Sequence, residues 1–207
     1  KSLGGTNLDH ALSIIQTIDG GFIVAGGSRS NDGDVTGNNG FEDFWIVKLD
    51  SIGVIDWQKS LGGLDYEFAY SIYQTMDSGY IVAGFSNSND GNVTDNHGGY
   101  DYWIVKLNGF GNIDWQQSLG GTGSDEAHSI IQTNDGSFII AGYSDSNDGD
   151  ITGNHGSSDY WIIKLSCFLI DIGSDTVISC GDSIILNLNI SGGVNFLWSP
   201  STGLSDT

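Results

Sequence analysis

The sequence predicts an all-β protein made of repeated antiparallel units, followed by a second β module of different character. Three observations predict this. Blocks recur at a spacing of 58 residues, so that "SNDGDVTGN" at 30–38 returns as "SNDGNVTDN" at 88–96 and as "SNDGDITGN" at 146–154. Apolar residues fall in short runs bounded by Gly, Asn and Asp rather than at helical spacing. The same order of runs and turns is written three times, the mark of one supersecondary unit stacked on copies of itself.

In the first copy the runs predict four strands, at 10–17, 21–28, 42–49 and 54–60. "TIDGG", "TMDSG" and "TNDGS" separate the first two strands of each copy. Asp-Gly between apolar runs signals a tight hairpin, because Gly accepts positive φ. "DSIGV" and "NGFGN" do the same between the third and fourth strands, and the "SNDGD" loop links the second to the third. "FIVAG" (22–26) and "DFWIVKL" (43–49) carry bulky side chains on both faces, so these strands are expected to be covered on two sides. Four antiparallel strands with two-sided burial predict β-propeller-type blades at about 2–59, 60–117 and 118–166. A parallel β-helix is the alternative, and the hairpin turns argue against it.

The third copy stops matching after Leu165, where "SCFLIDIGSD" begins, so its fourth strand is missing. Lys1 to Gly5, "KSLGG", repeat the end of such a strand. This segment is expected to pair with the open edge of the third blade, within a closed ring or in a neighbouring molecule, because unpaired edges invite strand addition. Three blades fall short of the ~4 to 8 that close a propeller. From 167 to 207 the composition changes, and "DTVISCGDSIILNLNISGGVNFLWSPSTGLSDT" alternates like sandwich strands over a length too short for a whole sandwich.

The strings "DGGFIVAG", "DFWIVKLD" and "IDWQKSLGG" at 19–63 resemble a large group of secreted bacterial repeat proteins, many exported by type IX secretion. The resemblance covers residues 1–166 and implies propeller-type repeats and an extracellular or cell-surface location. The tail resembles the immunoglobulin-like or PKD-like modules of the same proteins, through its "GD.I.L" and "WSP.TGLSDT" strings.

With 26 acidic residues against 6 basic, the formal net charge is −20, which repels nucleic acid and anionic lipid and makes cations natural partners. No run approaches the ~18 apolar residues of a membrane helix, so membrane insertion is not expected. Side-chain oxygens of Asp32 and Asp34, of Asp90, and of Asp148 and Asp150 sit around a glycine in a pattern suited to calcium. The same residues also make tight turns by bonding their own backbone, and both readings stand. Cys167 and Cys180 are the only cysteines; a disulfide or two buried thiols fits them, and no zinc-ligand spacing surrounds them.

Asp43, Asp101 and Asp159 are expected to bond backbone N–H groups at strand entrances, and Trp45, Trp103 and Trp161 to pack between blades. Trp57 and Trp115 take packing first and sugar contact second. The four histidines accompany no nucleophile motif, and no glycine loop precedes a Lys-Ser/Thr, so catalysis is not expected. Ser51, Thr176 and Ser183 match the Asp-Ser/Thr-aliphatic pattern that resembles O-glycan acceptors of this bacterial group, and Asn92 and Asn189 begin N-glycan sequons. Two functions follow: an extracellular structural or adhesive repeat that presents blades to proteins, glycans or copies of itself, or the scaffold of a larger secreted enzyme or receptor.

Overall fold

The computed structural model describes residues 1–166, which are all-β and fold into three antiparallel sheets. The first sheet holds β1 (Asp9–Gln16), β2 (Phe22–Ser28), β3 (Asp43–Leu49) and β4 (Ile55–Leu61) in sequential order. The second holds β5 (Glu67–Gln74), β6 (Tyr80–Ser86), β7 (Asp101–Leu107) and β8 (Ile113–Leu119). The third holds β9 (Asp125–Gln132), β10 (Phe138–Ser144) and β11 (Asp159–Leu165), and among the described residues β11 is an edge. The four expected strands of the first repeat are present to within one residue at each end. Cys167, Cys180, Thr176, Ser183 and the sandwich-like tail lie outside the described residues.

The hairpins form for the reason the glycines implied. Gly20, Gly53, Gly111 and Gly136 adopt φ of +83°, +82°, +76° and +80°, and Ser78 takes the same left-handed place at 66°. Asp19 closes the first turn by accepting from the Gly21 amide at 3.0 Å.

The sheets stack face to face, with β5 against β1, β2 and β3, and β9 against β5, β6 and β7. Strand alternation gives each sheet a forward and a rear apolar face. Ile23, Ala25, Phe44 and Ile46 of the first sheet bury against Ala69, Ile72, Val82 and Trp103 of the second. Ile81, Ala83, Tyr102 and Ile104 of the second bury against Ala127, Ile130, Phe138 and Ile140 of the third. The stack stays open among the described residues, with no closure of the third sheet onto the first. Lys1 to Gly5 do not fill the edge of β11 in their own chain; Leu3 packs instead with Val35 and Trp45 on the rear of the first sheet. Its own loop and sheet are nearer partners than a strand two sheets away.

Each first strand carries a bulge at an equivalent place, leaving Leu12, Tyr70 and His128 without a cross-strand partner. The bulge drives a carbonyl onto the facing strand, where Gly26, Gly84 and Gly142 leave the room; a Cβ on Gly84 would collide with the Phe68 carbonyl oxygen. Gly84→Ala is therefore expected to cost on the order of 3 kcal/mol, or to break the second sheet, read as a drop in the urea midpoint. A midpoint unchanged from wild type would show that the bulge yields freely.

Candidate functional site at the sheet junctions

The chain leaves each sheet through a linker whose amides have no strand to pair with. Four successive N–H groups of the linker between β4 and β5 are met by side chains. Gly62 donates to Asn92 Oδ1 at 3.2 Å, Gly63 to Glu67 Oε2 at 2.8 Å, Leu64 to Asp90 Oδ1 at 2.9 Å, and Asp65 to Ser88 Oγ at 2.9 Å. The next junction repeats the set through Asp150, Asp125, Asp148 and Ser146. Gly4, Gly5, Thr6 and Asn7 repeat it again through Asp34, Asp9, Asp32 and Ser30. The acidic loop of one sheet thus holds the entry segment of its own repeat.

The remaining loop residues serve the same end. Val35, Val93 and Ile151 are buried and anchor the loop in the core. Gly33, Gly91 and Gly149 have φ of +65°, +61° and +61°, and a Cβ on any of them would collide with the carbonyl of Gly4, Gly62 or Gly120. Asp32, Asp34, Asp90, Asp148 and Asp150, the expected calcium ligands, are thus each bonded to a linker amide, and Asp148 also accepts from the Thr122 hydroxyl at 2.8 Å. These bonds hold Asp148 below its ordinary range. Among the described residues no group of three or more acidic, His or Cys side chains converges on one point.

A second arrangement joins neighbouring sheets. Asp43 Oδ2 accepts from the Asn39 amide at 2.9 Å, and Asp101 Oδ2 accepts from the His97 amide at 2.7 Å with its ring Nδ1 at 2.8 Å. Their other oxygens are buried without a hydrogen-bond partner. A Cβ on Gly62 would collide with Asp43 Oδ1 and Glu67 Oε2, and one on Gly120 with Asp101 Oδ1 and Asp125 Oδ2, so the two carboxylates of each junction face the same glycine. Burial pushes Asp43 up to about 6 against the pull of the Asn39 amide, and the Glu67 charge adds to the rise. Burial also raises Glu67 and Asp101. The sequence carried a signal for these pairs, since positions 9, 67 and 125 are always acidic.

The remaining periodic polar residues are likewise structural. Lys48 is buried and bridges Asp19 at 2.9 Å and Asp56 at 3.5 Å, and Lys106 bridges Asp77 and Asp114 at 2.8 and 3.6 Å. Trp45 and Trp103 pack in the sheets and donate to Gln58 and Gln116 at 2.9 and 2.7 Å. Trp57 and Trp115 pack across the junctions on Tyr80 and Phe138. Ser51 is exposed in the turn between β3 and β4.

Departures from the repeat gather along the first strands, which the sequence reading passed over. Leu12, Tyr70 and His128 occupy the bulges, and His10, Phe68 and Glu126 stand two residues before them. The His128 ring stacks on Tyr70 at 4.3 Å, and Tyr70 donates to Glu126 Oε2 at 3.3 Å. Burial and the Glu126 charge push Tyr70 up to about 12. His10 Nε2 meets Glu42 Oε1 at 2.9 Å, and Arg29 holds the other Glu42 oxygen at 2.8 Å. The signal was available: these positions change chemistry between strand positions that repeat, such as Ala11, Ala69 and Ala127.

No family model matches the chain. It is 27% identical over 190 residues to the Regulatory protein FlaEY of Caulobacter vibrioides, an alignment covering 83% of this chain and 19% of that protein. The chain therefore spans about a fifth of the curated relative it matches.

Two outcomes are expected. Asp148→Ala removes both acceptors of Thr122 and should lower the urea midpoint in chemical denaturation. An Asp whose folded-state value is raised keeps a proton that the unfolded chain releases from about pH 4 upward, so its contribution is present at low pH and lost as pH rises toward 6. Between pH 5 and 7 wild type should therefore lose about 1 kcal/mol more than Asp43→Asn. Parallel pH profiles for the two proteins would show that Asp43 ionises as it does in the unfolded chain.

Proposed function

We propose that this chain is a non-enzymatic extracellular structural or adhesive repeat protein, built of propeller-type blades that present their inner edge to surface proteins, glycans or further blades. The observation that carries this reading is a division of labour among repeat positions. Residues that recur with the period are bonded to the linkers and junctions of the stack, whereas the bulge of each first strand carries a different residue, Leu12, Tyr70 or His128. Bulges re-aim side chains and gather next to binding and active sites. Leu12 is 46% exposed there and the His128 side chain 45%. An apolar residue, an aromatic ring and an imidazole in series suit recognition by contact better than bond-breaking chemistry.

Secretion, O-glycosylation at Ser51, Thr176 and Ser183, and a Cys167–Cys180 bridge belong to the same reading and rest on sequence resemblance and compartment. Calcium reinforces the acidic loops in it through Asp32, Asp34, Asp90, Asp148 and Asp150, with the amide bonds fixing the carboxylates in place. A second reading, the scaffold of a larger secreted enzyme or receptor, is favoured by the much greater length of the Caulobacter protein.

His128→Ala with Leu12→Ser should weaken retention of the chain on bacterial surface glycans or surface proteins by about tenfold while leaving the melting temperature unchanged. Turnover of a glycan or peptide library by the purified chain would overturn the non-enzymatic reading. Excess chelator should lower the melting temperature, because an ion bound to the folded state stabilises it by mass action. An unchanged curve would leave the loops as hydrogen-bonded turns.

A further inference from the structure

The two junctions inside the chain are built from the same contacts at equivalent positions. Phe44 meets Trp103 and Tyr102 meets Trp161, both with ring centroids 4.6 Å apart and planes inclined by 51°. The Ile18 amide donates to Gln74 Oε1 at 2.8 Å, and the Met76 amide to Gln132 Oε1 at 2.9 Å. The Ile72 amide donates to Ser13 Oγ at 3.3 Å, and the Ile130 amide to Ser71 Oγ at 3.2 Å. At the edge, Phe44 lies opposite Leu61 of the fourth strand and Tyr102 opposite Leu119.

Carried one repeat further, each contact has its forward half on the third sheet and its rear half on the first. The forward halves are Tyr160, Asn134 and Ser129; the rear halves are Trp45, Gln16 and Ile14. Leu3 stands at the place of Leu61 and Leu119. Tyr160 is 94% exposed, Ile162 66% and Ile14 63%, whereas their counterparts Tyr102, Ile104 and Ile72 are at most 3% exposed; Trp45 is itself largely covered by Leu3 and Val35 and borders the rear hollow. Beside Ile14 the rear face opens into a hollow of about 490 Å³ lined by Leu3, Ala11, Leu12, Val24 and Trp45.

We propose that a second copy of this chain docks the rear of its first sheet onto the forward face of the third, setting Tyr160 against the partner's Trp45 and its Leu3 beside Tyr160. This rests on the self-association named in the functional reading. The occupant is a copy of the chain because the contact continues an interface the chain already makes twice, with equivalent ring pairs and hydrogen bonds. The two surfaces differ, so the contact is head to tail and propagates into a ring of chains or a fibre. It also brings Leu3 of the partner beside β11, an edge among the described residues, and unpaired edges invite strand addition.

Sedimentation velocity of the full chain from about 1 to about 100 μM tests this, a range that reaches micromolar affinities. Wild type should assemble with concentration. Tyr160→Asp, which disables only the forward face, and Ile14→Asp, which disables only the rear, should each weaken assembly tenfold or more; both sites are exposed, so the fold is kept and melting curves verify it. Mixing the two variants should yield a 1:1 complex and nothing larger, because each retains the face the other has lost. A wild-type monomer throughout the range, assembly that survives either substitution, or variants that fail to pair on mixing would each overturn the proposal. Both variants retain Tyr70 and His128, so surface binding measured on the monomeric variants reports separately on the functional reading.

Discussion

Everything in this stack depends on satisfying the amides of the segment that joins one sheet to the next. Strand ladders pair their own N–H groups, but a chain that steps between sheets leaves its donors outside any ladder, and a donor left unpaired away from water costs ~1 to 3 kcal/mol. The acidic loop of the following sheet answers this with side-chain oxygens set at the spacing of the linker amides. Its own core residue, Val35, Val93 or Ile151, prevents the loop from moving away. A surface loop is thereby kept as strictly as a core strand. The same linkers carry the close glycines around which the carboxylate pairs gather, so the route of the chain and the electrostatics of the junction are one design.

Much of the fold was legible because strand and turn chemistry is local. Asp19-Gly20 and the apolar run of β2 are neighbours in sequence, and their pattern placed the strands to within a residue. The role of Asp32 and Asp90 was not legible in the same way. Their donors, Thr6 and Leu64, lie 26 residues away, and the local pattern of Asp, Gly and Asn suits a cation or a turn equally well. The partnership of Asp43 with Glu67 was hidden for a similar reason, since neither residue announces the other until the sheets stack.

The edge formed by the first strands was missed for a different reason. Repetition draws attention to what stays the same, and in a stack the invariant positions are those that hold it together. Tyr70 and His128 depart from the pattern, and only the bulges show that their positions coincide on one edge. His97 and Asp101, by contrast, repeat as His155 and Asp159 and belong to the scaffold. The separation of fixed and free positions lets one frame carry different chemistry on each unit without altering how the units join.

The buried lysines have a consequence beyond packing. Only six basic residues occur in the chain, and Lys48 and Lys106 are sealed between paired carboxylates with 4% and 2% of their side chains exposed. An enzyme that cleaves after basic residues therefore meets few accessible sites on the folded stack, and two of the candidates lie on strands it would have to pull out of a sheet. The arrangement that neutralises charge inside each repeat also withdraws Lys48 and Lys106 from trypsin-like cleavage.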